Sequence, residues 1–420
     1  MVWVLVADTI MTFVYCDAAL ANERGHFATV CRFITGQLRR HGVKVLVLGH
    51  ARMDPDLAAD LGATPFFRHH PNAVHSNDPL CGWLETFLHA ARVTAEDLGR
   101  LGGFTAENLL LYDHAKPAQL MALIDWAQAR FQPAACPTIV ITFGWPGGLD
   151  RRMSPDGTAS WALRDPRMML YRYASQMLRA PHAERFVFAA YDPDVAAAYG
   201  FLLDRKVLVF PPPNQAVCQP RERIGVAQPT VAFLGEQRGE KGYGRLPGIV
   251  RLLLARHASI RILVHNSWDG LPEVSAELRQ LAAMDPRVEC LFCTLTADQW
   301  AGVLGRSDLI VLPYDQSVYA TAISGIGVEA IANGIPLAVP RHTTMERLLA
   351  DHDMPGMVFE QSDEAQVATA VGSLLAEYDT FAERARQASL TWATSAGAAG
   401  LMQAILHCRK RPLGATIPAM

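Results

Sequence analysis

The sequence contains no run of about 18 uninterrupted apolar residues, so no membrane-spanning helix is expected. Its first fourteen residues are apolar, but no basic segment precedes them and Asp8 interrupts them; they read as a buried strand, not a signal peptide. There is no Walker motif and no G-x-G-x-x-G, because GEQRGEKG matches neither, and a dehydrogenase therefore lacks its dinucleotide fingerprint. Neither sign of charge dominates: 38 Lys and Arg stand against 41 Asp and Glu, for a net charge of −3. That balance offers no clustered basic track, so no nucleic-acid partner is expected. The eight cysteines are scattered. Cys290 and Cys293 form a C-x-x-C, but it sits in a strand-like run with no second pair to complete a zinc site. Buried thiols, no metal and a reducing cytoplasm are the reading.

What the chain does have is length and apolar content. Its 420 residues, half of them hydrophobic, suit two domains with sizeable cores. Val2–Ala7 reads as a strand, GHFATVCRFITGQLRRHG as a helix stopped by Gly42, and VKVLVLGH as a second strand. That is a β-α-β unit with a parallel pair buried on both faces. NLLLYDH, PTIVITFGWPGG, ERFVFAAYDP and KVLVFPPPN continue the strands, with a helix at AQLMALIDWAQARF. Residues 51–107 are the least legible, and FFRHHPNAVHSNDP within them reads as loop. Pro211–Pro213 and the polar stretch to Gln228 read as a connection. From Pro229 onward strands and helices alternate again without a break, which predicts a second doubly wound α/β domain. The expected division is 1–213, a linker at 214–228, a second domain at 229–375 and a helical tail at 376–420 that can pack back on the first. Two such domains facing across a cleft bind ligands at the carboxyl ends of their strands.

Two segments of the second domain carry candidate chemistry. In ISGIGVEAIANGIPLAVP, Ser324 is placed to cap a short helix that Asn333-Gly334 ends. Its first turn, Gly325-Ile326-Gly327, offers free amides and the positive end of the helix dipole to an anion. Glu329 lies one turn on, where it either accepts hydrogen bonds from hydroxyls such as those of a ribose or simply complements the helix. After the strand VAFLG, the loop EQRGEKGYGR starts from Gly235 and carries Arg238 and Lys241. Those two cations either neutralise a diphosphate without a metal or are ordinary solvated surface.

Taken in order, VAFLGEQRGEKGYG, ADQWAGVLGRSDLIVLPY and SGIGVEAIANGIPLAVP resemble the carboxyl-terminal domain of GT-B glycosyltransferases, most closely the retaining family 4 enzymes. The resemblance covers about Pro229 to Val358 and is weaker over the amino-terminal half. It implies two Rossmann-like domains, with Arg238 and Lys241 on the donor diphosphate, Glu329 on the nucleotide ribose, and Ser324, Gly325, Ile326 and Gly327 against the donor sugar and phosphates. Thr321 stands where the family has the first Glu of its Glu-x7-Glu pattern, a departure that bears on the donor sugar. On the acceptor side the resemblance points to Gly25-His26 at the first helix; Asp113-His114 ends a strand that this reading turns toward the cleft, with His114 a polar contact to the sugar or a plain loop histidine. The implied activity is a hexosyltransferase acting on a nucleotide-diphosphate sugar, with retention and no cofactor. The implied acceptor is a glycan or a lipid-linked molecule, in polysaccharide biosynthesis in the cytoplasm or at the inner face of the membrane. Two rival readings are a nucleotide-sugar epimerase and a non-catalytic GT-B protein that binds a nucleotide sugar or glycan.

Overall fold

The computed structural model describes residues 11–23, 26–153, 159–214, 216–217, 224–236, 238–268 and 270–409. These form two compact units, one drawn from the described parts of 1–213 and 398–420, the other from those of 214–397.

The first unit is built on a sheet of seven described strands: β1 (Thr12–Cys16), β2 (Lys44–His50), β3 (Ala63–Phe67), β4 (Leu109–Tyr112), β5 (Thr138–Phe143), β8 (Phe186–Ala190) and β9 (Val207–Val209). Their order is β3-β2-β1-β4-β5-β8-β9, and every pair is parallel. A separate antiparallel hairpin, β6 (Leu149–Met153) with β7 (Ala159–Leu163), follows β5. The chain order reverses between β1 and β4, and this crevice at the carboxyl ends is where doubly wound sheets bind ligands.

The expected strand Val2–Ala7 lies outside the described residues, as does Gly25. The described strand at the switch point is Thr12–Cys16, which begins within the apolar opening read as a strand and runs on into the stretch before Gly25 read as loop. Its TFVYC run is β-branched and aromatic, and its last four residues are buried, as a central parallel strand requires. The illegible region 51–107 contains two helices, Pro55–Leu61 and Gly82–Gly99, with β3 between them. β3 is an edge strand, which is why Pro65 is tolerated inside it. The cluster read as loop therefore begins in a strand.

The second unit has six described strands: β10 (Thr230–Phe233), β11 (Arg261–His265), β12 (Val288–Leu291), β13 (Leu309–Val311), β14 (Leu337–Pro340) and β15 (Gly356–Phe359). The order is β12-β11-β10-β13-β14-β15, again all parallel, with the reversal between β10 and β13. Val231 and Phe233 of β10 enter one apolar cluster with Leu246 and Val250, while Ala232 enters the other with Leu304 and Ile331. Alternate residues thus serve opposite faces, and helices cover both.

The described residues near the start of this unit are tied to it. Trp392 donates its indole N–H to the Asn214 carbonyl at 2.8 Å, and the Val217 N–H donates to Asn333 Oδ1 at 2.9 Å. The Gly225 N–H donates to Asp379 Oδ1 at 2.8 Å. Trp392 itself lies in the apolar cluster with Ile331 and Ile335, so the helix Tyr378–Ser395 belongs to this unit's body. The C-x-x-C corrects one expectation: β12 stops at Leu291, leaving Cys290 half-buried and Cys293 exposed, both as free thiols. Among the described residues no helix is long and apolar enough to cross a membrane.

Candidate functional site

In the second unit the candidate residues come from the loops after β10 and β13, the two strands at the switch point. The chain leaves β10 and turns at Gly235, whose φ of +123° L side chains rarely adopt. A Cβ there would stand 2.6 Å from Ile326 Cδ1 and 3.2 Å from Lys241 Nζ. Gly235 therefore lets the ammonium of Lys241 and the first turn of the Ser324-capped helix lie on the same few ångströms of backbone. Lys241 closes a short 3-10 turn, Gly239–Lys241, and the next residue fixes that turn in place. A side chain at Gly242 would meet the Pro313 carbonyl oxygen at 2.0 Å, so the lysine loop packs directly on the segment leaving β13.

The helix Gly325–Ala332 forms as the sequence predicts. Ser324 Oγ accepts from the Gly327 N–H at 3.1 Å and the Ser324 carbonyl oxygen from the Val328 N–H at 3.0 Å, while Asn333 caps the other end. The amides of Gly325 and Ile326 stay outside the helix's own ladder. Tyr314 Oη lies 3.3 Å from Ser324 Oγ, and Lys241 Nζ is 5.9 Å from the centre of the Tyr314 ring. Gly327 has a packing reason: a Cβ there would stand 2.1 Å from Met345 Sδ. Thr321 is buried in the preceding turn.

Glu329 faces inward, only 7% exposed, and its Oε2 accepts from the Trp300 indole N–H at 2.9 Å. Burial pushes its carboxyl up to about 7, and the indole offsets only part of that. His265 at the end of β11 lies beside Trp300, with ring centres 5.4 Å apart. Its Nε2 is 3.1 Å from the Cys293 carbonyl oxygen, so that nitrogen carries the proton and the buried Nδ1, without a partner among the described residues, is an acceptor. Burial lowers His265, and nearby Lys241 adds to the effect. Burial likewise draws Lys241 down to about 8, helped by Arg238. Arg238 is half exposed, bonded to Glu236 and 3.8 Å from Glu240. An incoming anion has to replace those carboxylates.

The first unit gathers its own set at its switch point. Asp113, directly after β4, is 1% exposed. Its Oδ2 accepts from Tyr15 Oη at 3.0 Å, and its Oδ1 from Tyr191 Oη at 3.1 Å and from the Thr142 hydroxyl. His114 Nδ1 stands 3.0 Å from Asp113 Oδ2. Burial alone would raise Asp113, but His114 and then Thr142 hold it well below the usual carboxylate range. In turn, burial would lower His114, yet Asp113 raises it. His114 sits at φ 53° with its N–H on Thr142 Oγ1 at 3.1 Å, and the exposed His26 ring lies 4.9 Å away.

Sequence reasoning missed four participants here. Asp17, one residue beyond β1, is 1% exposed and rises to about 7, through burial first and then Asp113. Tyr15, Thr142 and Tyr191 supply Asp113's donors from 98, 29 and 78 residues away. Only Asp17 left a signal, a lone acid at the end of an apolar strand.

Thus Gly235, Lys241, Ser324 and Ile326 come together in the second unit, with Glu329 one turn behind them and Arg238 held aside by acids. His26, Asp113 and His114 come together in the first.

No family profile matches the sequence, and no curated protein matches it in sequence. Solved structures do match in fold. A glycosyltransferase from Rickettsia africae ESF-5 aligns with a TM-score of 0.62 at 12% identity, over 96% of this chain and 98% of that one. HepE from Anabaena, in complex with UDP, gives 0.60 at 14%, over 94% and 99%. A putative UDP-N-acetylglucosamine 2-epimerase from Listeria monocytogenes gives 0.57 at 12%, over 95% and 94%. The chain has the fold of GT-B glycosyltransferases, two doubly wound Rossmann-like units in one polypeptide.

Proposed function

We propose that the protein is a glycosyltransferase that moves a hexosyl group from a nucleotide-diphosphate sugar to a glycan or lipid-linked acceptor. The observation that supports this most is the convergence of Lys241, the Ser324-capped helix and Glu329 behind β10 and β13. In this reading the diphosphate lies against Lys241 and the Gly325 and Ile326 amides, with Arg238 released from its glutamates to join them. Glu329 takes the ribose hydroxyls. Gly235 gives the close backbone approach, Gly327 the tight helix packing, and Thr321 lines the donor-sugar end.

The bond that breaks joins the anomeric carbon to the diphosphate oxygen, and its electron pair leaves with the diphosphate. Stabilising that developing charge is the main work of catalysis, and losing one positioned donor costs about 3 kcal/mol in the transition state. Arg238 and Lys241 fill this role, so the reading needs no metal. The first unit serves the acceptor side through Asp113, His26 and His114, with His114 as the polar contact to the sugar. Retention of configuration is part of the proposal and rests on the family 4 resemblance alone.

The test is release of nucleoside diphosphate from a panel of nucleotide sugars, with and without glycan and lipid-linked acceptors. Acceptor-dependent release supports the proposal, and no release with any pair contradicts it.

A second reading, nucleotide-sugar epimerisation, draws support from two titratable groups held close together in the first unit, Asp17, which burial raises to about 7, and His114, which Asp113 raises against its burial. Incubation with donor alone separates the two, since only the epimerase returns an altered sugar.

A further inference from the structure

The segment after β3 is fastened by histidines. His50 ends β2, His69, His70 and His75 lie in the segment itself, and His89 lies on the helix Gly82–Gly99. The His75 and His89 rings stack, with centres 3.7 Å apart and planes 6° from parallel. His69 is buried and meets His89 edge-on at 5.7 Å, and His70 meets His50 edge-on at 5.7 Å. Backbone contacts complete the seam. Thr86 Oγ1 accepts from the His75 N–H at 3.1 Å and the Ser76 N–H at 3.3 Å, and a Cβ at Gly82 would stand 2.7 Å from the Ser76 carbonyl oxygen. Three of the five rings are held in their neutral form. The Arg52 N–H donates to His50 Nδ1 at 3.1 Å and the Asn72 N–H to His70 Nδ1 at 3.2 Å. The Arg92 guanidinium, which only donates, is 3.5 Å from His89 Nδ1. A second proton on any of these rings turns the acceptor into a donor and breaks the contact. Two charged rings stacked as His75 and His89 are would also repel.

We propose that these histidines are a pH-operated latch: neutral, they fasten residues 70–81 to β2 and to the helix Gly82–Gly99, and protonated in mild acid they release that segment. The surrounding charges favour release. Burial lowers His50, His69, His70 and His89, with His70 and Arg52 adding to the effect on His50, and His75 and Arg92 adding to it on His89. The other four rings add to it on His69. Glu96 opposes it on His89, but that carboxylate is shared between Arg68 and Arg92. Asp97 is likewise taken by Arg68 and Arg100. The folded values lie below the ordinary one, so the latch is at full strength above about 6.5 and weakens as pH falls. It stands at the carboxyl ends of β2 and β3, the side of the parallel sheet that also carries Asp113 after β4. Acid therefore loosens one rim of the first unit's ligand-binding edge. The latch does not rest on the transferase reading.

The test is hydrogen-exchange mass spectrometry on the full chain at about pH 7.5 and about pH 5.5, with rates corrected for the intrinsic pH dependence of exchange. About one pH unit below the ordinary imidazole value, each histidine kept neutral only in the closed form favours opening about tenfold. Protection in peptides covering 70–81 is therefore expected to fall by about tenfold or more, while peptides in β1 and β4 keep theirs. His70→Asn retains an acceptor for the Asn72 N–H and cannot titrate, and His75→Phe with His89→Phe retains two stacked rings that cannot titrate. The triple variant is expected to hold its protection within about threefold between the two pH values. His70→Asn alone is expected to lessen the fall by about threefold, which keeps the test open if the triple variant does not fold. The inference is overturned if 70–81 is equally protected at both pH values, or if β1 and β4 lose protection to the same degree. It is also overturned if the fall is undiminished in the variants.

Discussion

The Trp300 indole N–H donates to Glu329 Oε2 at 2.9 Å, yet burial still lifts this carboxyl to about 7. Glu329 is thus a buried acid with one donor, in a unit where Lys241 is a cation drawn down to about 8. Both groups are held away from their solution behaviour by burial.

The first prediction concerns stability. The unfolded Glu ionises near 4.5 and the folded one near 7, so the folded state holds its proton more tightly. That contribution is fully present below the unfolded value and is lost as pH rises through about 7. The loss is on the order of 3 kcal/mol. Glu329→Gln keeps the oxygen that accepts from Trp300 but cannot ionise. Thermal melts should show the variant more stable than wild type at pH 8 and close to it at pH 4.5. A variant less stable at pH 8 contradicts this.

A second prediction follows from Lys241. Below about pH 8 the free lysine is already charged, so nucleoside diphosphate affinity is at its maximum there. Above pH 8 binding has to restore the proton, and affinity falls by about tenfold per pH unit until the bound lysine titrates. Calorimetry from pH 6.5 to 9.5 checks this. Lys241→Ala should bind weakly and without that slope.

Arg238 gives a third. Because Glu236 holds its guanidinium, Glu236→Gln should free it and tighten nucleoside diphosphate binding by about two- to fivefold, the worth of an exposed ion pair. Arg238→Ala should weaken binding instead. Equal affinities in wild type and Glu236→Gln would show that the pair does not gate the site.

The Asp113 carboxylate supports a fourth. Tyr191→Phe leaves this buried anion one donor short and should cost about 1–3 kcal/mol in urea unfolding. Asp113 sits below its ordinary value, so its stabilisation is present above the unfolded pKa and lost as pH falls through the folded one. The variant's deficit should therefore shrink in strong acid.

The sequence was legible where local chemistry decides structure. Ser324 and Asn333-Gly334 delimit their helix because capping is a matter of a few neighbouring residues. β2 was visible because a buried parallel strand is a continuous apolar run between a Gly stop and a loop. β1 was not, since Thr12–Cys16 follows a longer apolar run with no turn signal to separate them. Glu329 drew attention as a lone acid in an apolar helix, but its partner Trp300 lies 29 residues away on another helix. Asp113 shows the same limit: its place at the end of an apolar strand was legible, but its donors are assembled only when β1, β4, β5 and β8 line up.

The most direct measurement is a thermal-shift panel of UDP, GDP, ADP and their sugars on wild type, Arg238→Ala and Glu329→Ala. One nucleotide series should raise the melting temperature of the wild type, and both substitutions should abolish the rise. A rise that persists unchanged in both variants, or no rise with any nucleotide, contradicts a donor site at Lys241, the Ser324 helix and Glu329.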